Sequence, residues 1–356
     1  MAPIKSSLAK SAKQLLGLFN TADLGLRGAT QNEKTGEFPF EATGGTTNTD
    51  SGYKYHIYTT DTPSPTSNFT VTSGTANIEL LVVGGGGGAA FDNGGGGGAG
   101  GIAYVPALPV SAGAHAITVG PGGQGSSTFN YPGHPSGNPT RGTNSTFTHP
   151  VGTITGLGGG GPANETPNYE IATPVPSNVY PGGSSAGGRY TYPGKSPNGI
   201  ASVPAAQPGQ PNFGVGVVHY GNIGGDAQTA NFTAGGGGGA GGAGIDKTPS
   251  ANGAGGPGQP FTGFPAPVIS PGIPSPQQSA FTSAVGPTGL FGGGGGGSSE
   301  GIPGESPGGP GGGGKGGPSV PDADGTGVYG TGGGGGSHNT TGKPGGNGII
   351  ILRYQV

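Results

Sequence analysis

Tyr180 and the run Arg189-Tyr190-Thr191-Tyr192 carry the most suggestive chemistry in this chain. A tyrosine offers a flat apolar face with a hydroxyl at its tip, and an arginine adds a planar set of donors. The combination suits sugars or protein surfaces. Tyr180, Arg189, Tyr190 and Tyr192 are therefore the candidate receptor-binding residues. They sit in a stretch, 129–220, that also holds Phe129, Tyr131, Phe147, Tyr169, Phe213 and Tyr220. The competing reading is that these rings cover a glycine-rich surface or fill a subunit interface.

Other constellations carry less. Gly-x-Gly-x-x-Gly matches abound, but any glycine run produces them. No phosphate-binding loop survives inspection. Arg189 stands where the glycine ahead of Gly194-Lys195-Ser196 is needed, Pro344 follows Gly342-Lys343, and Gly316 follows Gly314-Lys315. Gly241-Gly242-Ala243-Gly244-Ile245-Asp246 starts like a calcium-binding nonapeptide, yet it occurs once and Thr248 replaces the expected large aliphatic residue. Asp322-Ala323-Asp324-Gly325 reads as a solvated turn. The six histidines show no metal-ligand spacing and none stands in a nucleophile motif. No catalytic residue, metal site or cofactor is expected. The net charge is −3 with no basic block, so no nucleic-acid partner is expected. There are no cysteines. No apolar run reaches transmembrane length and no apolar leader follows Met1, so neither membrane insertion nor a standard secretory signal is expected.

The elements that must position these residues are unusual. Glycine accounts for 90 and proline for 36 of 356 residues, and runs of four or more glycines occupy 84–88, 94–98, 158–161, 235–239, 292–297, 311–314 and 332–336. Glycine builds no side-chain core and loses the most backbone entropy on ordering. The strict every-third-residue register of collagen is absent. A five-residue run wound as a polyproline II-type helix spans about 15 Å and has no internal hydrogen bonds. Its backbone groups must find partners elsewhere. Several such runs side by side satisfy one another, because absent side chains allow close approach. A packed array of polyglycine II helices is therefore expected, with Gly-Ala segments such as 97–101 and 239–244 at its tight positions.

Strand patterns flank the runs. Tyr53, Tyr55 and Ile57 alternate with Lys54, His56 and Tyr58, and Phe69 and Val71 alternate with Thr70 and Thr72. Ile78–Val83, interrupted by Glu79, and Ile349–Tyr354 are strongly apolar strands that bracket the glycine-rich body; His115–Val119 is another. One sheet or two packed sheets should join the bracketing pair. Residues 44–50 read as a linker. Residues 4–19 read as one short N-terminal α-helix, with Leu8, Leu15, Leu16 and Phe19 at helical spacing. At about 24 Å it is marginal alone and needs a partner surface. Packing on its own domain and attachment to another protein are both open; the change of composition after residue 45 favours attachment. The expected fold is mostly β: a small antiparallel sheet or sandwich core with packed polyglycine II helices and long Pro/Gly loops. Residues 1–45 form an attachment segment and 46–356 the glycine-rich domain, with recognition loops at about 129–220.

The segments Tyr53–Tyr58, Phe69–Gly74, Glu79–Gly88 and Asn347–Tyr354 together follow a pattern that resembles the glycine-rich domain of structural proteins of tailed bacteriophages. Pro109–Gly120 matches more loosely. Ala112-Gly113-Ala114-His115 stands where that family usually has a Pro-Gly-Thr-Tyr type of turn. The resemblance covers roughly residues 50–356. A more distant, compositional likeness is to the glycine-rich receptor-binding tips of T-even-type phage tail fibres. The stretch Ile4–Gly28 is similar to a leader of phage appendage proteins. This implies virion attachment through Leu8, Leu15, Leu16, Phe19, Leu24 and Leu26.

By this resemblance the chain is expected to be a virion structural protein on an external appendage. Its partners would be other virion proteins and a bacterial surface glycan or outer-membrane protein. A homo-oligomer is implied, with trimers usual for such fibres. A tail-fibre or tail-tip adhesin ranks first, a capsid decoration or head fibre second and a glycan depolymerase last.

Overall fold

The computed structural model describes residues 39–61, 66–91, 94–126, 139–162, 182–188, 215–227, 234–248, 250–298, 304–318 and 322–356. The predicted N-terminal helix, with Leu8, Leu15, Leu16, Phe19, Leu24 and Leu26, lies outside the described residues. What is described is mostly β, built on an antiparallel sheet. The strands are β1 (Glu41–Thr43), β2 (Thr46–Asp50), β3 (Tyr53–Tyr58), β4 (Thr66–Val83), β5 (Ile102–Thr118), β6 (Ser145–His149), β7 (Gly152–Gly156), β8 (Val218–Tyr220), β9 (Gln259–Pro260), β10 (Leu290–Phe291) and β11 (Ile349–Gln355). Their order in the main sheet is β2-β3-β11-β4-β5-β6-β7, with β1 added to β4 and β8 to β5.

The two apolar strands predicted to bracket the glycine-rich body do meet: Ile349 pairs with Val83 and Arg353 with Glu79. Their near-continuous apolar runs reflect burial on both faces. Ile350, Leu352 and Tyr354 of β11 share one core with Leu80, Val82, Phe69, Phe147 and Ile154. Ile349 and Ile351 point the other way, into a core with Ile57, Leu81, Phe281 and Phe291. Each fully buried side chain of this size contributes about 1.5–3 kcal/mol.

The long β4–β5 hairpin folds back on itself. Its register shifts between Val71 and Thr75, where Gly74 and Gly113 take φ of 71° and 146°, conformations that a side chain would strain. Thr66 pairs with Thr118 at one end of the hairpin and Val83 with Ile102 at the other. Ser145 nevertheless bridges the two ends: its Oγ accepts from the Gly120 amide (2.9 Å) and donates to the Val83 carbonyl (2.7 Å).

Three sequence expectations need correction. Residues 44–50 are not a linker, because Thr46–Asp50 is strand β2, paired with β3, and β1 just before it pairs with β4. Phe147 and Tyr220 are not loop aromatics, because they lie on β6 and β8. Residues 259–291 are not a Pro/Gly excursion. They fold as an insert, closed by β9 pairing with β10, that holds helices Ala266–Ile269 and Gln278–Val285. Pro267, Pro271 and Pro276 occupy first-turn helical positions, where the missing N–H is no loss. Gly286, at φ 58°, ends the second helix. The insert covers the second face of the sheet through Ile269, Ile273, Phe281 and Val285.

Beyond the sheet the glycine runs form the expected array, and its hydrogen bonds repeat every third residue. Gly84 and Gly87 donate to Gly101 and Gly98; Gly85 and Gly88 donate to Thr143 and Thr140; Gly86 and Ala89 donate to Gly346 and Lys343. A three-residue repeat with all bonds made to neighbours is the polyglycine II arrangement. The rod 94–101 lies at the centre. Its amides reach the rods 235–238, 332–335 and 157–160, and its carbonyls accept from 84–87, 184–187 and 295–298. Every residue of this rod is buried. A Cβ on Gly97 would strike the Gly87 carbonyl, and one on Gly96 the Gly295 carbonyl.

Candidate functional site

The array has two distinct ends. Val83 runs directly into Gly84 and Gly101 into Ile102, so those residues mark the end joined to the sheet. At the far end, Phe91 bridges to His338, and the Phe91 amide donates to Ser126 Oγ (2.7 Å). The Ser298 amide donates to the Gly94 carbonyl (3.3 Å). Ser337 Oγ donates to the Ala90 carbonyl (2.6 Å) and meets Ser298 Oγ at 2.8 Å. Ser306 Oγ caps the Gly253 carbonyl (2.6 Å). These four buried serines close rod ends whose backbone groups have no further turn to bond. The same end carries the tight turn Thr248–Ala251 and the anchor points of several undescribed segments: Phe91 and Gly94, Ser126, Ala234, and Ser298.

The opposite pole holds the entry and exit of the described chain. Phe40 packs edge-on against Tyr354 (4.6 Å between centroids), and the Val356 amide donates to the Gly52 carbonyl (3.0 Å). Both lie at the end of β11 away from the array. The domain is therefore polar, with the entry and exit of the described chain at one end and rod turns at the other.

Tyr180, Arg189, Tyr190 and Tyr192 lie outside the described residues. The segment between them, 182–188, is a rod of the array: the Ser184 amide donates to the Ala99 carbonyl and the Gly187 amide to the Gly96 carbonyl. At 3.1 Å per residue, its ends stand about 19 Å apart. Bonded on several sides, this segment is a rigid member of the array.

The densest chemistry among the described residues was not singled out in sequence as a group. Arg353 donates to Glu79 and to the Tyr55 hydroxyl (3.1 Å). Tyr104 donates to the other Glu79 oxygen (2.7 Å), and Tyr55 donates to the Gly263 carbonyl (3.2 Å). The guanidinium lies 4.4 Å over the Tyr53 ring. Burial works against the Arg353 charge, but the bonds to Tyr55 and Glu79 outweigh it and raise its pKa. Burial, and then the bond to Glu79, push the Tyr104 hydroxyl well above its ordinary range. Glu79 is thus committed to two donors, and the cluster ties the sheet to the insert. The sequence signal was Glu79 interrupting an apolar strand, with Arg353 in the partner strand.

A second group is a row of rings across the sheet. His56 donates from Nδ1 to the Gly44 carbonyl (2.7 Å) and accepts at Nε2 from Tyr354 (3.3 Å), which fixes a neutral tautomer. Burial lowers its pKa to about 4, against the opposing pull of Gly44. His115 stacks on Phe147 (5.4 Å) and His149 (5.7 Å). Among the described residues no three His, Cys, Asp or Glu side chains gather as metal ligands. No described helix is long and apolar enough to cross a membrane.

A family model described as a glycine-rich domain matches residues 60–355. No curated protein matches the chain.

Proposed function

The chain belongs to the glycine-rich domain family, and from that premise we propose that it is a structural protein of a bacteriophage virion, a tail-fibre or tail-tip adhesin. The observation that carries this reading is the polarity of the domain. The chain enters and leaves the described fold at the sheet pole, while rods turn at the opposite pole on a stiff backbone scaffold. An appendage needs that division, with a fixed end and a presenting end, and recognition concentrates on loops held by rigid scaffolds. The resemblance of the segments Tyr53–Tyr58, Glu79–Gly88 and Asn347–Tyr354 to phage structural proteins supports the particle assignment. Residues 1–45 would grip other virion proteins. Tyr180, Arg189, Tyr190 and Tyr192 would meet a surface glycan or outer-membrane protein. The protein acts by binding, without catalysis.

Gold labelling of intact virions with an antibody against residues 129–220 tests this. Label at the tail is the expected result. Label over the capsid would make the protein a head fibre or decoration and remove the host-recognition role. Release of reducing sugar from host polysaccharide would overturn the non-enzymatic reading.

A further inference from the structure

Most faces of the inner rods are engaged within the chain, but rod 242–247 leaves one open. Gly244 and Lys247 donate to Ile223 and Asp226 on one neighbour, and Ile245 donates to Ala254 on another. By the three-residue repeat, the amides of Ala243 and Asp246 share the remaining direction. Neither amide has a partner among the described residues, and both residues are exposed. Along this edge the Asp246 carboxylate is turned onto the Asp226 amide (2.7 Å), and two large apolar side chains stand in solvent. Ile245 is 54% and the adjacent Ile223 43% exposed. Val218, on the strand leading into the neighbouring rod, is 44% exposed. Ile223 and Ile245, two of the five large exposed apolar side chains among the described residues, thus stand on neighbouring, hydrogen-bonded rods. Another open rod face, with the amides of Arg141 and Asn144, carries charged and polar side chains instead.

We propose that this flank is the contact between copies of the chain. Rod 242–247 packs against a rod of a second copy, whose carbonyls receive the amides of Ala243 and Asp246 while Ile223 and Ile245 are covered. The spacing selects the partner. The open amides recur every third residue, about 9.3 Å apart along the rod. An α-helix has its carbonyls already engaged. A β-strand presents its acceptors every second residue, about 6.8 Å apart. A polyglycine II rod matches the interval, and rod 242–247 of a second copy offers one, since no described residue bonds its Ala243 and Asp246 carbonyls. The contact extends outward the same bonding that joins Gly97 to Gly335 and Gly237 to Gly295 inside the array.

The inference gives an interface to the oligomer that the virion reading implies, but it does not require the particle. Solution mass decides the contact, and labelling decides the location. The full chain should run as an oligomer in light scattering coupled to gel filtration. The pair Ile223→Glu with Ile245→Glu should shift it to the monomer mass with an unchanged melting transition, whereas Val151→Glu, at an exposed site elsewhere, should leave the mass alone. The chain has no cysteine, so single-cysteine variants report contacts cleanly. Ala243→Cys should cross-link between copies with a short bismaleimide, and Val151→Cys should not. A monomeric wild type, or an oligomer whose mass ignores both glutamates, overturns the proposal. If the double variant fails to fold, the cross-link alone decides: no covalent dimer through position 243 overturns it.

Discussion

The sheet and the polyglycine array are both buried, but they exclude water by different means. In the sheet, side chains interlock: Leu80, Phe147 and Ile350 fill space between strands. In the array there is almost no side chain to fill anything. Backbones approach until the carbonyl of one rod occupies the place where a Cβ of its neighbour would stand. The driving terms differ accordingly. The sheet gains mainly from apolar surface removed from water. The array gains a hydrogen bond for nearly every residue, each worth about 0.5–1.5 kcal/mol net, against the large ordering entropy of glycine. The array is therefore a dependent structure. Its rods are tied at one end to strands already fixed by the sheet, as Val83 fixes Gly84 and Ile102 fixes Gly101. A side-chain core tolerates a lost methyl better than a backbone array tolerates an added one.

The most severe test of that contrast is to add methyl groups to the array. Alanines at Gly85–Gly88 would strike the carbonyls of Pro121, Gly333, Gly160 and Gln124. Overpacking costs about 1–3 kcal/mol per site, so four sites together cost about 4–12 kcal/mol, comparable to the whole stability of an ordinary domain. The variant should fail to fold, read as lost solubility and a lost cooperative melt. A normal melting profile would refute the packed array. Removing side-chain volume from the sheet should do less. Phe147→Ala, at a residue with 0% exposure, should cost about 3–5 kcal/mol in urea titration and still leave a folded protein.

Acid separates the two regions differently. His56 titrates near 4 when folded and near 6.5 when unfolded. The unfolded chain therefore takes up its proton first as pH falls. Stability should be full above about pH 6.5, drain between there and about pH 4, and level off below, with a total near 3 kcal/mol from this ring. His115 and His219, whose pKa values are also lowered by burial, add in the same direction. The rods 84–88 and 94–98 hold no ionisable side chain, so the loss should originate in the sheet. Urea midpoints from pH 7.5 to 4 for wild type and His56→Gln would show it. An equally steep acid limb in the variant would remove His56 as the cause.

How much of this was legible in sequence depends on which atoms carry the information. Apolar strands announce themselves through side chains, so Tyr53–Tyr58, Leu80–Val83 and Ile349–Leu352 are readable, as is their meeting in one sheet. The existence of an array is readable from glycine runs too long for turns. Which rod bonds which is not, because glycine has no side chain to bias direction, and the three-residue register appears only once the rods are in place. Strand β2 was hidden because Thr46–Asp50 is polar on both faces of an edge position. The helical insert was hidden by its prolines, although Phe281 and Val285 one turn apart, followed by Gly286, were a usable signal.

The smallest predicted effect separates space from backbone angle as the reason for glycine. Gly216 has nothing within 4 Å of the point where a methyl group would stand, and its backbone is one that other residues can adopt. Gly286 also faces open space, but its φ is 58°. Gly216→Ala should stabilise by about 0.4–1 kcal/mol through the unfolded state, since alanine has less conformational freedom to lose. Gly286→Ala should destabilise by about 1 kcal/mol or more, because φ 58° with ψ −169° is a backbone region that a side chain strains. Thermal melts of the two variants beside Gly97→Ala would rank the causes: collision in the array above backbone strain, and backbone strain above neither. If Gly216→Ala cost as much as Gly97→Ala, crowding of carbonyls would not be what makes glycine necessary in the array, and the contrast with the sheet would have to be sought in the unfolded chain.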